Sequence, residues 1–534
     1  MTEAKQQSEA PARIVAVIDI GSNSVRMVIA QVLPDGQIET LERMHRAVRL
    51  GQDTFVHGRL GQETMNASCA ILRDYKRVLE TYQVRQVRAV ATSAVREAAN
   101  ADAFLDRVYL TTSLDVEIIE AAEESRLTVS AVRRALEGVT GPRRGYTLIA
   151  DVGGGSSLLT LLHDDRVEQS GAYRMGSIRL QEQLSTQQEP AERAADLLRH
   201  QIASGVASIE AAMPLGKVRT FVAVGGDARF AARQIGRPHK KCEDLSVVDV
   251  TAFDELVRRC AGHTAEELVK IFALPFADAE TLVPALLTFQ LLLHQTHAKE
   301  ILVSDTSMRD GLLLDQARLI TGEEDTAYAE SVLQSARSIG EKYHYDAPHA
   351  EHVGDLAVRL FDALREEHGL GRRHRLLLRV AAVLHDIGAF VSNRAHHKHT
   401  YYLVNNSEVF GLRREDQAIV SHVARYHRRG VPKPTHVEYM SLPRDRRMEI
   451  SKLAALLRVA DALDHSHSQQ IREIELERLS DELVISVRGV SDLALERRAM
   501  AVKSDLFEDL YGLRLRLEEA DLHTPRRGRA ESIE

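Results

Sequence analysis

The chain has 534 residues, 44% of them apolar, with three cysteines, no tryptophan and a formal net charge of −8. That length predicts three or four domains, and the acidic balance excludes a protein that gathers polyanions by bulk charge, so any polyanion site must be a local basic channel. Cys69, Cys242 and Cys260 lie far apart without CxxC spacing, which excludes a disulfide framework and suits reduced packing residues in a cytoplasmic protein.

In chain order, residues 1–12 are polar, have no apolar h-region and are expected to be disordered. Residues 14–30 read IVAVIDIGSNSVRMVIA and residues 147–160 read TLIADVGGGSSLLT. Each is an apolar run ending in Asp, then glycine and small hydroxyl residues, then a second apolar run: strand, tight turn, strand, made twice. Glycine has no Cβ to block a phosphate from the backbone N–H groups of such a turn, and the Asp can hold a metal or order a water. Two such turns in facing lobes would clamp a phosphate chain. The competing reading, two buried hairpins turned by glycine, does not require the Asp or hydroxyl residues.

Further strands are expected near 87–92 and 114–119, at FVAVGG (221–226) and at EILVSD (300–305), with helical patterns between them and a turn at Gly141-Pro142. That alternation argues for an α/β fold. From about 325 to 468 strands give way to amphipathic helical patterns, and 14 of the 23 histidines fall between 344 and 467. The remainder reads as strand, helix, strand and a polar tail. No apolar stretch approaches the roughly 20 residues that span a bilayer, so a membrane is not an expected partner, and with the net charge of −8 neither is a nucleic acid.

These segments carry a resemblance. The two turns, ATSAVREA (91–98), EIIEAAEESRL (117–127), AYRMGSIRL (172–180) and SMRDGLLLD (307–315) resemble the exopolyphosphatase and guanosine pentaphosphate phosphatase (Ppx/GppA) family over nearly the whole chain. The resemblance implies two actin-like α/β lobes (13–132 and 133–322), an all-α HD-type domain (323–468) and a small α/β C-terminal domain (469–534). It also implies Mg²⁺-dependent hydrolysis of terminal phosphate from inorganic polyphosphate or guanosine pentaphosphate. A monomer and a homodimer are both compatible with the sequence.

Phosphoanhydride hydrolysis needs charge offset on the phosphate oxygens and a positioned water. Gly21, Ser22, Asn23 and Ser24 in one turn, and Gly153, Gly154, Gly155 and Ser156 in the other, supply donors. By resemblance Arg96 is the phosphate-binding arginine and Glu124 the general base; burial near phosphate would raise the pKa of that carboxyl. The competing readings are a solvated Arg96 and glutamates that decorate a helix N-terminus. Asp151 is the Mg²⁺ candidate, with Asp19 from the opposite lobe, and Ser177 and Arg179 are expected to face phosphate. The sequence departs from the family at Leu158, where a Glu is usual, at Asp227, where a Thr is usual, and at Glu120-Ala121, where Ser-Gly is usual.

In the helical region His349, His385-Asp386 and Asp461 resemble the signature of HD metal-dependent phosphohydrolases, with His399 and His427 where dinuclear members add ligands. Such a set suits Mn²⁺, Fe²⁺, Zn²⁺ or Mg²⁺. Arg394, Lys398, Arg425, Arg428 and Arg429 form a basic neighbourhood, while His396, His397, His465 and His467 read as surface residues. The expected function is an exopolyphosphatase. The alternatives are a guanosine pentaphosphate 5′-phosphatase, an HD-centred nucleotide phosphohydrolase, and a non-catalytic polyphosphate or alarmone sensor.

Overall fold

The computed structural model describes residues 13–137, 145–322, 326–490 and 492–520. The expectations for residues 1–12, for the Gly141-Pro142 turn and for the tail after 520 lie outside them. The chain divides into two compact units, Met1–Ser331 and Val332–Glu534.

The first unit holds two sheets. In one, β1 (Arg13–Ile20), β2 (Ser24–Val32), β3 (Ile38–Ala47), β4 (Gln86–Ala91) and β5 (Val116–Ile118) take the order β3-β2-β1-β4-β5. In the other, β6 (Tyr146–Val152), β7 (Ser157–His163), β8 (Arg166–Tyr173), β9 (Val218–Val224), β10 (Arg237–His239), β11 (Cys242–Asp249) and β12 (Glu300–Ser304) take the order β10-β11-β12-β9-β6-β7-β8. Counted from its own first strand, the run β8-β7-β6-β9-β12 repeats the first sheet's order. The pairing repeats too: the first three strands are antiparallel, and the next two join in parallel. The repeat seen in the two Asp-Gly turns is therefore a repeat of whole lobes.

Central strands of both sheets read as near-continuous apolar runs because helices cover them. Val15 and Val17 of β1 pack on Leu127 and on Leu312 and Leu313, from helices Ala121–Glu137 and Met308–Thr321. The second lobe's core includes helix Phe276–His294, whose 19 residues and mean hydropathy of 1.4 would suffice to cross a bilayer. Asp278, Glu280 and Pro284 interrupt its apolar run, so the sequence shows no continuous stretch of membrane length. Its Leu282, Leu286, Phe289 and Leu292 are buried among Phe221, Phe253 and Leu198, which makes it a core helix of the lobe. Cys69 and Cys260 are buried and unbridged, and Cys242 is unbridged and partly covered.

The second unit begins as helices, chiefly Ala347–Ala363, Arg372–Leu384, His396–Asn405, Arg414–Arg425 and Arg444–Leu463. A three-stranded sheet follows, β13 (Ile474–Arg478), β14 (Glu482–Arg488) and β15 (Arg514–Ala520), in that order. The segment read as one strand is a hairpin: Ser480 and Asp481 turn the chain, and the Leu479 N–H donates to the Glu482 carbonyl at 2.9 Å. Helices Ala494–Lys503 and Asp505–Tyr511 tie this sheet to helix Arg444–Leu463. The tie is the buried Arg458, whose Nε donates to the Lys503 carbonyl at 2.9 Å and whose guanidinium also meets Asp505.

Candidate active site

The two Asp-Gly turns have the same internal geometry. The Gly21 N–H donates to the Ser24 carbonyl at 3.0 Å, and the Gly153 N–H donates to the Ser156 carbonyl at 3.0 Å. They meet closely: a Cβ on Gly154 would stand 3.1 Å from the Ser22 Cβ, and one on Gly155 would stand 2.3 Å from Ser93 Oγ and 2.6 Å from the Phe55 ring of the first lobe. Ser22 and Ser93 share a hydroxyl hydrogen bond of 3.0 Å beside this contact. Between the turns lies a cavity of about 450 Å³, lined by Asp19, Gly21 to Ser24, Glu124, Asp151, Gly153 to Ser156 and Ser177. Residues from both lobes thus converge as the sequence led us to expect.

Glu124 is buried near the start of helix Ala121–Glu137. Burial pushes its carboxyl up to about 7; the Arg96 guanidinium opposes the rise, while Asp19 and Asp151 add to it. Arg96 Nη1 donates to Glu124 Oε1 at 2.8 Å and to the Ile119 carbonyl at 2.5 Å. Arg96 thus lies directly behind Glu124, which is on the cavity wall. Arg179 corrects the expectation that it faces phosphate. It is 1% exposed, its Nε donates to the Gly155 carbonyl at 2.7 Å, its Nη2 donates to Glu97 at 2.6 Å, and its guanidinium lies 4.0 Å over the Phe55 ring. It braces the second turn from outside. The sequence MGSIRL gives no direction for that side chain.

Asp151 receives a hydrogen bond from Thr128 Oγ1 at 3.2 Å, and burial raises its carboxyl. Asp19 accepts from Arg309 Nη1 at 2.9 Å. Both are hard oxygen donors on the cavity wall, which suits a divalent cation. The cationic lining escaped the sequence reading: Arg26 from β2, Arg229 from helix Gly226–Ile235 and Arg309 from helix Met308–Thr321 all face the cavity. Arg229 Nη1 is buried without a hydrogen-bond partner. Burial and the mutual repulsion of these arginines lower Arg26 and Arg229 from the ordinary guanidinium range. Of the three, Arg26 was readable in principle, since it pairs with Asp19 across the hairpin. Asp227 also lines the cavity, raised to about 7 by burial and by Asp278, and Leu158 faces it from the strand position paired with Asp151.

The second unit gathers His349, His385 and Asp461 in one set, and Asp386, His396 and His427 in another, each with ligand atoms within 4.8 Å of one another. A third set joins His349 and Asp386 to His467. His399 belongs to none of these sets, and His396 and His467, read as surface residues, belong to two of them. Thr400 of helix His396–Asn405 bonds the His385 carbonyl at 2.9 Å and the Gly388 N–H at 3.0 Å, which ties that helix to the His-Asp segment. Burial pushes His385 down to about 4. Despite burial, His385, His396 and His427 hold Asp386 well below the usual carboxylate range.

Two repeated α/β lobes, closing paired glycine turns over buried carboxylates and arginines, define a phosphate-handling enzyme. Residues 17–319 match the model of the Ppx/GppA phosphatase family, and residues 333–508 match that of Ppx/GppA phosphatase domain III. The chain belongs to the Ppx/GppA phosphatase family, whose members hydrolyse phosphoanhydride bonds. It is 25% identical over 413 residues to the guanosine-5′-triphosphate,3′-diphosphate pyrophosphatase of Aeromonas hydrophila, covering 76% of this chain and 79% of that one. It is 23% identical over 487 residues to the protein of the same name from Vibrio campbellii, covering 89% and 92%. An exopolyphosphatase from Cytophaga hutchinsonii shares the fold over 57% of this chain and 98% of that one, with a TM-score of 0.52 and 22% identity.

Proposed function

We propose that the first unit is an exopolyphosphatase that releases the terminal phosphate of inorganic polyphosphate by attack of water. The observation that carries this reading is Glu124, a buried carboxyl raised to about 7, in a cavity walled by two phosphate-cradling turns. A base poised near the working pH takes a proton from water most effectively. The water oxygen bonds to the terminal phosphorus, the bridging P–O bond breaks, and the chain leaves one phosphate shorter while Glu124 Oε holds the water's proton. Arg96 keeps Glu124 aimed and acts as a positioning residue.

Ser22, Asn23, Ser24 and Ser156, with the backbone of both turns, bind the terminal group, and Ser177 adds a hydroxyl. Arg26, Arg229 and Arg309 offset the charge of the chain behind it. Asp151 and Asp19 fit Mg²⁺, which when bound would draw charge from the phosphate oxygens. The unbridged cysteines accord with a cytoplasmic site of action. The helical unit is read as an HD-type domain with His349, His385, Asp386 and Asp461 as its ligand quartet.

A second substrate, guanosine pentaphosphate, is favoured by one observation. Asp227 places a carboxylate where a long polyanion would meet it, whereas a nucleoside offers hydroxyl and amino donors. Phosphate release from polyphosphate and from guanosine pentaphosphate, at equal phosphate load with Mg²⁺, tests the choice. Polyphosphate is the expected better substrate, and preference for the nucleotide would overturn that choice.

A further inference from the structure

The second Asp-Gly turn has its carbonyls held from behind. Helix Ser177–Leu184 starts against it: the Ser177 N–H donates to the Gly153 carbonyl at 2.9 Å, and the Ile178 and Arg179 N–H groups donate to the Gly154 carbonyl at 3.0 and 3.1 Å. The third carbonyl, that of Gly155, accepts from Arg179 Nε at 2.7 Å. A trans peptide is planar, so its N–H points opposite to its C=O. Three successive carbonyls tied to one side turn the N–H groups of Gly154, Gly155 and Ser156 to the other, and these residues line the cavity. The fit has no slack. A Cβ on Gly176 would stand 2.3 Å from the Gly155 carbonyl carbon and 2.4 Å from the Ser156 nitrogen.

The first turn is held differently. Its Ser22 and Asn23 carbonyls accept from the Gly51 and Val48 N–H groups at 2.8 and 3.0 Å, backbone on backbone within one lobe. In the second turn the last peptide is held by a side chain, and that side chain is anchored on the other lobe. Arg179 Nη2 donates to Glu97 Oε1 at 2.6 Å, and the guanidinium lies 4.0 Å over the Phe55 ring. Glu97 directly follows Arg96, which grips Glu124 at 2.8 Å. A single run of groups therefore leads from the Gly155 carbonyl through Arg179 and Glu97 to Arg96 and Glu124.

We propose that Arg179 is a positioning residue for phosphate binding: its planar fork fixes the Gly155 peptide against the first lobe and keeps the Ser156 N–H aimed at the terminal phosphate. This rests on the reading of the cavity as a polyphosphate site. Arg179 touches neither the base nor the phosphate. The cradle it aims holds the terminal oxygens before and during the attack, so its disturbance should weaken binding more than it slows turnover. Lysine is the informative replacement, because it keeps the charge and offers one compact donor head in place of the fork.

Phosphate release from long polyphosphate gives KM and kcat. Calorimetric titration with inorganic triphosphate, in a Glu124→Gln background where turnover does not consume the ligand, gives affinity. Circular dichroism melts check that each variant is folded. Arg179→Lys is expected to raise KM about tenfold and to weaken triphosphate binding by a similar factor, the equivalent of one charge-assisted hydrogen bond, with kcat within about threefold of wild type. Arg174→Ala is the control: Arg174 also reaches Glu97, at 3.2 Å, but stands largely exposed, and KM should not change. If Arg179→Lys does not fold, Glu97→Asp decides. It keeps the charge, draws the carboxylate back by one methylene, and is expected to weaken triphosphate binding about threefold or more. Unchanged KM and affinity in the folded variant, even with earlier melting, would make Arg179 a brace of the fold and overturn the proposal, as would a fall in kcat alone. If wild type releases no phosphate from polyphosphate, the exopolyphosphatase reading fails, and triphosphate affinity alone judges Arg179. No triphosphate binding in the Glu124→Gln background overturns both.

Discussion

Glu124 and Asp227 are two carboxyls buried in one cleft, both raised to about 7, with burial as the leading cause in each. Their consequences differ because the base we propose is Glu124. Turnover should therefore fall as pH drops below about 7, along the slope of a single ionisation, because the protonated acid cannot act as a base. A rate profile against pH checks this, and flat turnover from pH 8 to pH 5 would contradict it. Asp227 is a cost to the fold. A carboxyl raised in the folded state stabilises it only while protonated, and that contribution is lost as pH rises through about 7. Asp227→Asn removes the ionisation, so the variant should melt above wild type at pH 8, by a margin that shrinks as pH falls toward 4. Calorimetry at the two ends of that range reads it directly.

At the scale of elements, the two hairpin turns were legible because their chemistry is local: aspartate, glycine and serine act within a few residues of each other. The arginine lining was not, because Arg26, Arg229 and Arg309 arrive from a strand and two distant helices and meet only after folding. Arg179 was misread for the converse reason, since a local motif names a residue without saying which way it points. His396 was misread because its neighbours Asp386 and His427 come from other parts of the helical unit.

Leu158 tests how far such local reading carries. It pairs with Asp151 across β6 and β7 and faces the cavity while 6% exposed. Opposed residues on neighbouring strands sit with Cβ atoms about 4.5–5.5 Å apart, so a glutamate there would join Asp151 at one cation. Leu158→Glu should lower the Mg²⁺ needed for half-maximal hydrolysis. A variant that melts earlier with unchanged Mg²⁺ dependence would show that position 158 serves packing alone. Gly155→Ala asks about the contact of the second turn with the first lobe. Its Cβ meets Ser93 and Phe55, so the turn must shift. A loss of about 1–3 kcal/mol of stability is expected, together with weaker polyphosphate binding. Unchanged melting and KM would contradict it.

At the scale of the molecule, one chain carries two chemically separate centres. The first unit holds buried carboxylates, arginines and glycine turns; the second holds imidazoles and aspartates. The catalytic set we propose is complete within the first, so His385→Ala combined with Asp386→Ala should lower bound transition metal yet leave phosphate release from polyphosphate nearly unchanged. If that folded double variant released no phosphate, hydrolysis would belong to the helical unit. The most direct measurement compares phosphate release from long polyphosphate by wild type and Glu124→Gln, with Mg²⁺ at saturation. Glutamine keeps the shape and cannot accept the proton, so turnover is predicted to drop about 10²–10⁴-fold with polyphosphate binding retained. Activity within about threefold of wild type, too small a change for the loss of a general base, would contradict the account.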